Sequence, residues 1–236
     1  MKPATGPHNS ISLSDRVALG VAATCLLLAQ GCAGWTAWTD PGRAEKMAKR
    51  YGPTADQRID EIREEAREKV DAPIDERLTF TRELIREMLD EHDPRVRAAI
   101  LEAAADFDTP AARAICEGAM DDPDLRVRLR ACELCSSRGA EAVPLLAARL
   151  AKDTDIDVRL EAVRALGETG DEAAIAPLAR ALEDPDPAIQ YRAVGSLKKV
   201  SGRDLGNDVN AWRAWAADPE AREAAPSLAE TMRMLF

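Results

Sequence analysis

A short motif that recurs every 31 residues is the feature that most constrains the fold of this chain. Four copies align without gaps, beginning at Asp93, Asp124, Asp155 and Asp186, and they read DPRVR, DLRVR, DIDVR and DPAIQ. Small and apolar residues follow each copy at the spacing of one helix face, and Asp is a favoured N-cap residue. Each copy therefore predicts the start of an amphipathic helix, and the constant period predicts a repeat array.

A second amphipathic run precedes each motif, and these runs end near Leu89, Met120, Leu150 and Leu182. Each unit is thus predicted to be a helical hairpin. One hairpin cannot bury its own apolar face, whereas stacked hairpins bury a continuous core. We predict an all-α fold, namely an α-solenoid of about four hairpins.

The D-x-x-V-R motif, in four copies in phase, resembles the HEAT-repeat family, in particular the short HEAT-like repeats of bacterial proteins. The resemblance covers about Asp75 to Val200, and it implies the α-solenoid fold. It does not determine a function, because the family includes scaffolds, bilin-lyase subunits and DNA glycosylases.

The arginine that ends three of the motifs falls within the apolar arc of its helix on a helical wheel. An unpaired charge there would be costly. We therefore predict that each guanidinium pairs with a cap aspartate of its own or the neighbouring hairpin, and we call this set the arginine ladder. A row of arginines that binds an anion is the alternative. The predicted ladder consists of Arg97, Arg128 and Arg159 with Asp93, Asp124, Asp155 and Asp186.

The opposite arc of these second helices is where arrays of the HEAT type usually bind partners, and we call it the second-helix face. It is rich in arginine, which is enriched at protein interfaces; a bland solvated surface is the alternative. No aromatic residues interleave there to stack bases, and the net charge of the chain is −10. Another protein is therefore the predicted partner, and nucleic acid is not. The candidate residues are Arg95, Glu102, Arg126, Arg130, Glu133, Glu161, Arg164 and Arg192.

The amino-terminal segment carries a second resemblance. Val17 to Ala29 is an apolar run without charges. It is shorter than the roughly 20 residues that span a bilayer as a helix. Its end overlaps the sequence LAQGC, which runs from Leu28 to Cys32. This ending resembles a bacterial lipobox, in which a small residue precedes a cysteine that becomes lipidated, although Ala29 stands where Leu is usual. The resemblance implies cleavage before Cys32 and a membrane anchor of acyl chains on that cysteine.

An uncleaved anchor and a plain cleaved signal peptide are the alternatives, and all three export the domain. The lipobox resemblance also implies a location. Ala33 follows the cysteine, where Asp typically retains lipoproteins in the inner membrane, so the outer membrane is favoured in a diderm bacterium. The predicted segments are 1–31 (signal peptide), 32–53 (lipidated tether), 54–72 (charged helix), 73–200 (hairpins) and 201–236 (cap and tail).

Segments at both ends of the array are predicted to cover it. Packing of the charged helix on the first hairpin is favoured over a short coiled coil, and its apolar stripe consists of Ile59, Ile62, Ala66 and Val70. Trp212 and Trp215 are predicted to form an aromatic cap, with a ligand-binding pair of rings as the alternative. The tail is predicted to add a last helix or to fold on a partner. Its apolar side consists of Leu228, Met232 and Leu235.

Three cysteines lie in the array, and Cys132 and Cys135 form a C-x-x-C pattern. Both occupy positions that hold Leu, Val or Ala in the sister repeats, so buried thiols are the favoured interpretation. A structural disulfide from Cys116 to either of them, in an oxidising envelope, is the alternative. A metal site would need a second cysteine pair or histidines, and the chain has two histidines, far apart. No metal or cofactor is therefore predicted.

No nucleophile–base pair, paired carboxylates or phosphate-binding loop is visible in the sequence, and we predict a protein without catalytic activity. The predicted function is a binding scaffold or adaptor that is lipid-anchored outside the cytoplasm, at the cell envelope. Two alternatives stay open: a structural oligomer of the envelope, and a subunit of a bilin-lyase-like enzyme.

Overall fold

The computed structural model describes residues 46, 49–50, 52–218, 220, 222, 224 and 226–235. The predicted signal peptide, Cys32 and nearly all of the predicted tether lie outside these residues. The chain divides into two units, Met1–Thr54 and Ala55–Phe236. Every helix named below belongs to the second unit.

The described part of the second unit contains helices and no strand. The α-helices are α1 (Ala55–Lys69), α2 (Ile74–Asp90), α3 (Pro94–Ala105), α4 (Pro110–Ala119), α5 (Leu125–Cys135), α6 (Val143–Lys152), α7 (Ile156–Glu168), α8 (Ile175–Ala181), α9 (Pro187–Ser201), α10 (Val209–Ala217) and α11 (Leu228–Leu235). Short 3-10 helices, Ser136–Ala142 and Glu172–Ala174, precede α6 and α8. This order forms four hairpins: α2–α3, α4–α5, α6–α7 and α8–α9.

The second helices α3, α5, α7 and α9 pack side by side in one row, and α1 packs on α3 at the start of that row. The first helix of each hairpin packs on the second. Ile62 and Ala66 of α1 are buried in the common core. The predicted α-solenoid is therefore confirmed. The charged helix, α1, packs on the first hairpin, which is the alternative that the sequence favoured over a coiled coil.

The cap aspartates start the second helices as predicted. The carboxylates of Asp93, Asp124, Asp155 and Asp186 each accept a hydrogen bond from the backbone amide two residues later, at 2.8 to 2.9 Å. An amide in the first turn has no partner within its helix, so this bond stabilises the helix start.

A fifth, shorter hairpin follows, which the 31-residue period does not reveal. α10 packs on α8 and α9, and Asp218 then accepts the amide of Glu220 at 2.9 Å. The sequence from Asp218 to Arg222 repeats the D-P-x-x-R pattern, 32 residues after the last regular copy. The helix that it starts is short, because Ala224 already lies in a bend. Among the residues that the structure describes, α9 therefore has no second helix of full length beside it.

Two glycines inside neighbouring second helices have opposite surroundings. Gly167 of α7 lies against α9, where an added Cβ would stand 2.8 Å from the Cα of Ser196. The Ser196 hydroxyl donates to the carbonyl of Val163 at 2.8 Å, so a hydrogen bond between α9 and α7 stabilises this close approach. Gly195 of α9 has only open space where a Cβ would stand.

Gly167→Ala is expected to lower the free energy of unfolding by about 1–3 kcal/mol, because the added methyl group forces α7 and α9 apart. Gly195→Ala is the matched control. It is expected to raise the free energy of unfolding by up to about 1 kcal/mol, because Ala has the higher helix propensity. Urea unfolding followed by circular dichroism measures both changes. Equal effects of the two substitutions would contradict the close contact of the two helices.

Candidate functional site

The arginine ladder is present, but its acidic partners differ from those predicted. Each arginine binds the aspartate that lies 25 residues later, in the connection two residues before the next cap. The guanidinium therefore joins one hairpin to the next. The three pairs are Arg97–Asp122 (2.7 Å), Arg128–Asp153 (2.9 Å) and Arg159–Asp184 (2.5 Å).

The predicted pairing of the ladder arginines with the cap aspartates is therefore wrong, and the second hairpin shows the reason. The carboxylate of the cap residue Asp124 already binds the backbone amide and the guanidinium of Arg126, at the start of its own helix. Asp122 lies in the connection, and its Oδ1 accepts the amide of Asp124 at 2.8 Å. That bond holds the carboxylate of Asp122 within reach of Arg97.

Asp153 is the least exposed acid of the ladder, with 3% of its side chain accessible. Burial by itself raises the pKa of this carboxyl group. The hydrogen bond from the amide of Asp155, at 3.0 Å, and the guanidinium of Arg128 outweigh burial and hold the pKa of Asp153 below its ordinary value. Arg149 adds a second guanidinium at 3.7 Å. Asp153 is thus ionised in the folded protein and surrounded by donors.

Polar groups of the second unit also pair with the residues at both ends of the ladder. At the start, α1 supplies Arg58, which pairs with Glu91, and Glu91 accepts the amide of Asp93 at 2.6 Å, as the ladder aspartates do with theirs. At the other end, Gln190 replaces the arginine and donates to the carbonyl of Asp184 at 2.7 Å. The ladder guanidiniums are therefore engaged inside the protein and do not form a row that could bind an anion.

The central arginines of the second-helix face are neutralised by acids of the same and neighbouring helices. The pairs link α1, α3 and α5 in one set, and α7 and α9 in another. These side chains are 22–59% exposed, so each pair contributes little to stability. The face carries a pattern of alternating charges rather than a positive surface. The pairs are Arg63–Glu102 (3.1 Å), Arg130–Glu102 (2.9 Å), Arg130–Glu133 (2.6 Å), Arg164–Glu161 (2.5 Å), Arg164–Glu168 (3.2 Å) and Lys199–Glu168 (2.9 Å).

Arg95 and Arg126 lie at the start of the face and are more exposed, at 53% and 69%. Each binds the cap aspartate of its own helix, at 2.9 and 3.1 Å. Arg95 also pairs with Asp56 at 3.0 Å. Both arginines line a cavity of about 340 Å³, whose other lining residues are Ile59, Pro94, Ala98, Asp56, Asp60 and Arg63. This part of the face combines apolar side chains with accessible guanidiniums and carboxylates, a mixed composition that another protein surface can complement.

Arg192 lies at the other end of the face, on α9. It is exposed, and it makes no ion pair with the residues that the structure describes. The position that holds a charged residue in the other second helices is Gly195 here, so the network of ion pairs reaches α9 at Lys199 and does not include Arg192. Its neighbour Tyr191 is 68% exposed. The predicted residues of the face are thus brought together in the central helices, whereas Arg192 stands apart.

The two predicted cap tryptophans pack on the last full hairpin. Trp212 is fully buried and donates from Nε1 to the carbonyl of Gly206 at 2.9 Å. The ring of Trp215 meets it edge to face, with 5.4 Å between the centroids. Their helix, α10, packs on α8 and α9. Because Trp212 has no accessible surface, the pair covers the core and does not present two rings to a ligand.

The three cysteines of the array do not all remain buried thiols. Cys116 and Cys135 form a disulfide between α4 and the end of α5. The favoured interpretation of the sequence is therefore wrong for these two and holds for Cys132, which is free and buried. Burial raises the pKa of the Cys132 thiol to about 12, with smaller contributions from the carboxylates of Glu161 and Asp153. A thiol in this state is a poor nucleophile at neutral pH.

Cys132 is expected to resist labelling by a maleimide in the folded, non-reduced protein, because its thiol is buried and protonated. Denaturation without a reductant should then expose Cys132, and peptide mass spectrometry should find Cys116 linked to Cys135. Rapid labelling of Cys132 in the folded protein would contradict its burial.

The described residues contain no group of histidine, cysteine, aspartate and glutamate side chains that could hold a metal ion. None of the described helices is long and apolar enough to cross a bilayer. A sequence model of the HEAT-repeat family matches residues 81–155 and 143–229, which together make up more than half of the chain. No curated protein matches the chain.

Proposed function

The chain belongs to the HEAT-repeat family, whose repeats generally mediate protein–protein interaction, and we propose that it is a protein-binding scaffold that a lipid anchor on Cys32 holds at the cell envelope. The observation that carries this proposal is the second-helix face. The apolar residues of these helices and the ladder arginines are used in the interior, and a patterned charged surface is left for a partner.

The charge pattern of the face defines the kind of partner. Arginines and acids alternate across α3, α5 and α7, so a matching surface needs both signs in register, as a protein surface supplies and a polyanion does not. The net charge of −10 also disfavours nucleic acid. The exposed guanidiniums of Arg95 and Arg126 beside this cavity are the strongest candidates for contacts that contribute most of the affinity.

The lipid anchor is supported by the lipobox-like sequence before Cys32, and export from the cytoplasm is supported by the disulfide. Disulfides form and persist in oxidising compartments and are rare in the cytosol. A scaffold that is exported and anchored folds where the bond between Cys116 and Cys135 is stable.

Site-specific photocrosslinking in native membranes tests the scaffold. A photoreactive phenylalanine analogue replaces Arg126 on the face, and the matched control carries it at Arg86, which is exposed on α2. The proposal predicts one dominant crosslinked envelope protein from position 126 and none from position 86. Arg126→Glu should reduce the recovery of that protein from cells at least tenfold. Equal crosslinking from both positions, or none from position 126, would refute binding through this face.

A further inference from the structure

The second helix of the fourth hairpin, α9, differs from the other second helices in the charges that it contributes to the second-helix face. Each second helix places residues on this face at four repeat positions. In α3, α5 and α7 at least one of the four is an acid, whereas α9 has two cations and no acid there. α9 therefore contributes only positive charge to the face. Its four residues, all exposed, are Ala188, Arg192, Gly195 and Lys199.

The repeat shows which group belongs beside Arg192. Arg130 stands at the same position two repeats earlier, and its guanidinium pairs with two carboxylates. One belongs to Glu133, one turn further along the same helix, at 2.6 Å, and the other to Glu102 of the preceding second helix, at 2.9 Å. In α9 the first of these positions holds Gly195. The carboxylate that neutralises Arg130 from its own helix thus has no counterpart beside Arg192.

The preceding second helix, α7, does not supply the other carboxylate. Arg164 occupies the position that corresponds to Glu102, so a second guanidinium stands where Arg130 finds an acid. The acid of α7 at the repeat position of Arg192 is Glu161. Both oxygens of Glu161 already accept hydrogen bonds from Arg164, at 2.9 and 3.0 Å. Within the part of the chain that the structure describes, the guanidinium of Arg192 therefore has no carboxylate partner.

Gly195 leaves room for a carboxylate that comes from outside the chain. A Cβ added to Gly195 would find only open space within 4 Å. Lys199 follows one turn later; it pairs with Glu168 at 2.9 Å, but its side chain is 59% exposed. Arg192 and Lys199 stand about 10 Å apart along the helix axis, at a rise of 1.5 Å per residue. An acidic segment can therefore approach the backbone of α9 between two accessible cations.

We propose that α9 binds an acidic segment of the partner protein, and that a carboxylate of this segment takes beside Arg192 the place that Glu133 takes beside Arg130. The inference rests on the proposed scaffold function and states the chemistry of the partner at one end of the second-helix face. A guanidinium can bind both oxygens of a carboxylate, which adds geometric specificity to the charge pairing. The central arginines already have carboxylates within the chain, so an acidic segment gains most beside Arg192.

Carbodiimide crosslinking of the full-length protein in native membranes tests this inference. A water-soluble carbodiimide activates a carboxylate, and an amine in contact with it then forms an amide bond while a urea leaves. Arg192→Lys supplies the amine. The matched control is Arg86→Lys, at an exposed arginine of α2 that also lacks an ion pair among the described residues. We expect at least tenfold more of one crosslinked envelope protein from position 192 than from position 86, with the amide at a Glu or Asp of that protein.

A second substitution supplies the missing carboxylate within the chain. Gly195→Glu, added to Arg192→Lys, is expected to pair with the new amine as Glu133 pairs with Arg130, and to reduce the crosslink to the partner at least tenfold. Gly195→Gln has the same size without the charge and should reduce the crosslink less than threefold. Neither substitution at Gly195 should lower the melting temperature, because the space is open and both residues have a higher helix propensity than Gly.

Equal crosslinking from positions 192 and 86 would show random collision and overturn the acidic segment. Equal losses with Gly195→Glu and Gly195→Gln would also overturn it, because the contact would then depend on space and not on charge. If position 192 gave no crosslink while the photoreactive residue at position 126 still captured a protein, the acidic segment would be refuted and the scaffold would stand. The absence of both crosslinks would refute both.

Discussion

Asp153→Ala is expected to lower the free energy of unfolding by about 3–5 kcal/mol, the range measured when one member of a buried ion pair is removed. Asp153 accepts hydrogen bonds from Arg128 and from the amide of Asp155, and its side chain is 3% exposed. The guanidinium of Arg128 is itself only 15% exposed. After the substitution it remains between two hairpins without the carboxylate that neutralises it. Urea unfolding at neutral pH measures the loss.

Asp121→Ala is the matched control. Asp121 pairs with Arg149 at 2.7 Å, but its side chain is 74% exposed, so its removal should cost less than about 1 kcal/mol. Arg128→Met should lower the melting temperature while leaving recovery of the photocrosslinked partner unchanged. If Asp121→Ala and Asp153→Ala destabilised the protein equally, the ladder would not be the internal link between hairpins that the geometry indicates.

The contribution of Asp153 to the free energy of unfolding should also depend on pH. The pKa of its carboxyl group is lowered in the folded protein, so its stabilising effect is fully present above the ordinary pKa near 4 and is lost as the pH falls through the lower folded value. The stability difference between the wild type and Asp153→Asn should therefore be constant from pH 7 to pH 5 and shrink below about pH 4. If this stability difference grew on acidification, the pKa of Asp153 would not be lowered in the folded protein.

Trp212→Ala is the second substitution with a large expected effect, about 3–5 kcal/mol. The Trp212 ring is fully buried, meets Trp215 edge to face and donates to the carbonyl of Gly206. Its removal leaves a cavity at the end of the array and opens the core beneath α8 and α9. Thermal unfolding measures the loss.

Leu89→Ala is the comparison for the tryptophan, because Leu89 is a large apolar residue that is 80% exposed. It should change the free energy of unfolding by less than about 0.5 kcal/mol. A loss for Trp212→Ala as small as that for Leu89→Ala would show that α10 is not the cap of the solenoid.

The sequence predicts the fold well because periodicity reports which side of each helix is buried. It predicts the cap aspartates for the same reason, since a cap acts within its own first turn. A helical wheel gives the direction of Arg97 but not its reach, so it does not distinguish Asp122 from Asp124. The recurrence of aspartate two residues before the caps at positions 124, 155 and 186 was the available signal for the true partners.

Features that depend on contacts between helices are harder to predict from the sequence. The acids that neutralise Arg130 and Arg164 are recognisable only when the helices are placed side by side. The disulfide requires Cys135, rather than Cys132, to face Cys116, and two residues three apart on one helix share a face. The fifth hairpin differs from the others by one residue of spacing and an Ala in place of Val or Ile, so a strict period does not detect it.

Mass spectrometry of the protein from native membranes is the most direct test of the proposed anchored scaffold. The proposed lipid anchor predicts an amino-terminal peptide that begins at Cys32, with a diacylglyceryl group on sulfur and an acyl chain on the α-amino group. A chain that begins at Met1, or one that begins at or before Cys32 with an unmodified thiol, would contradict the anchor and with it the proposed place of the scaffold at the envelope.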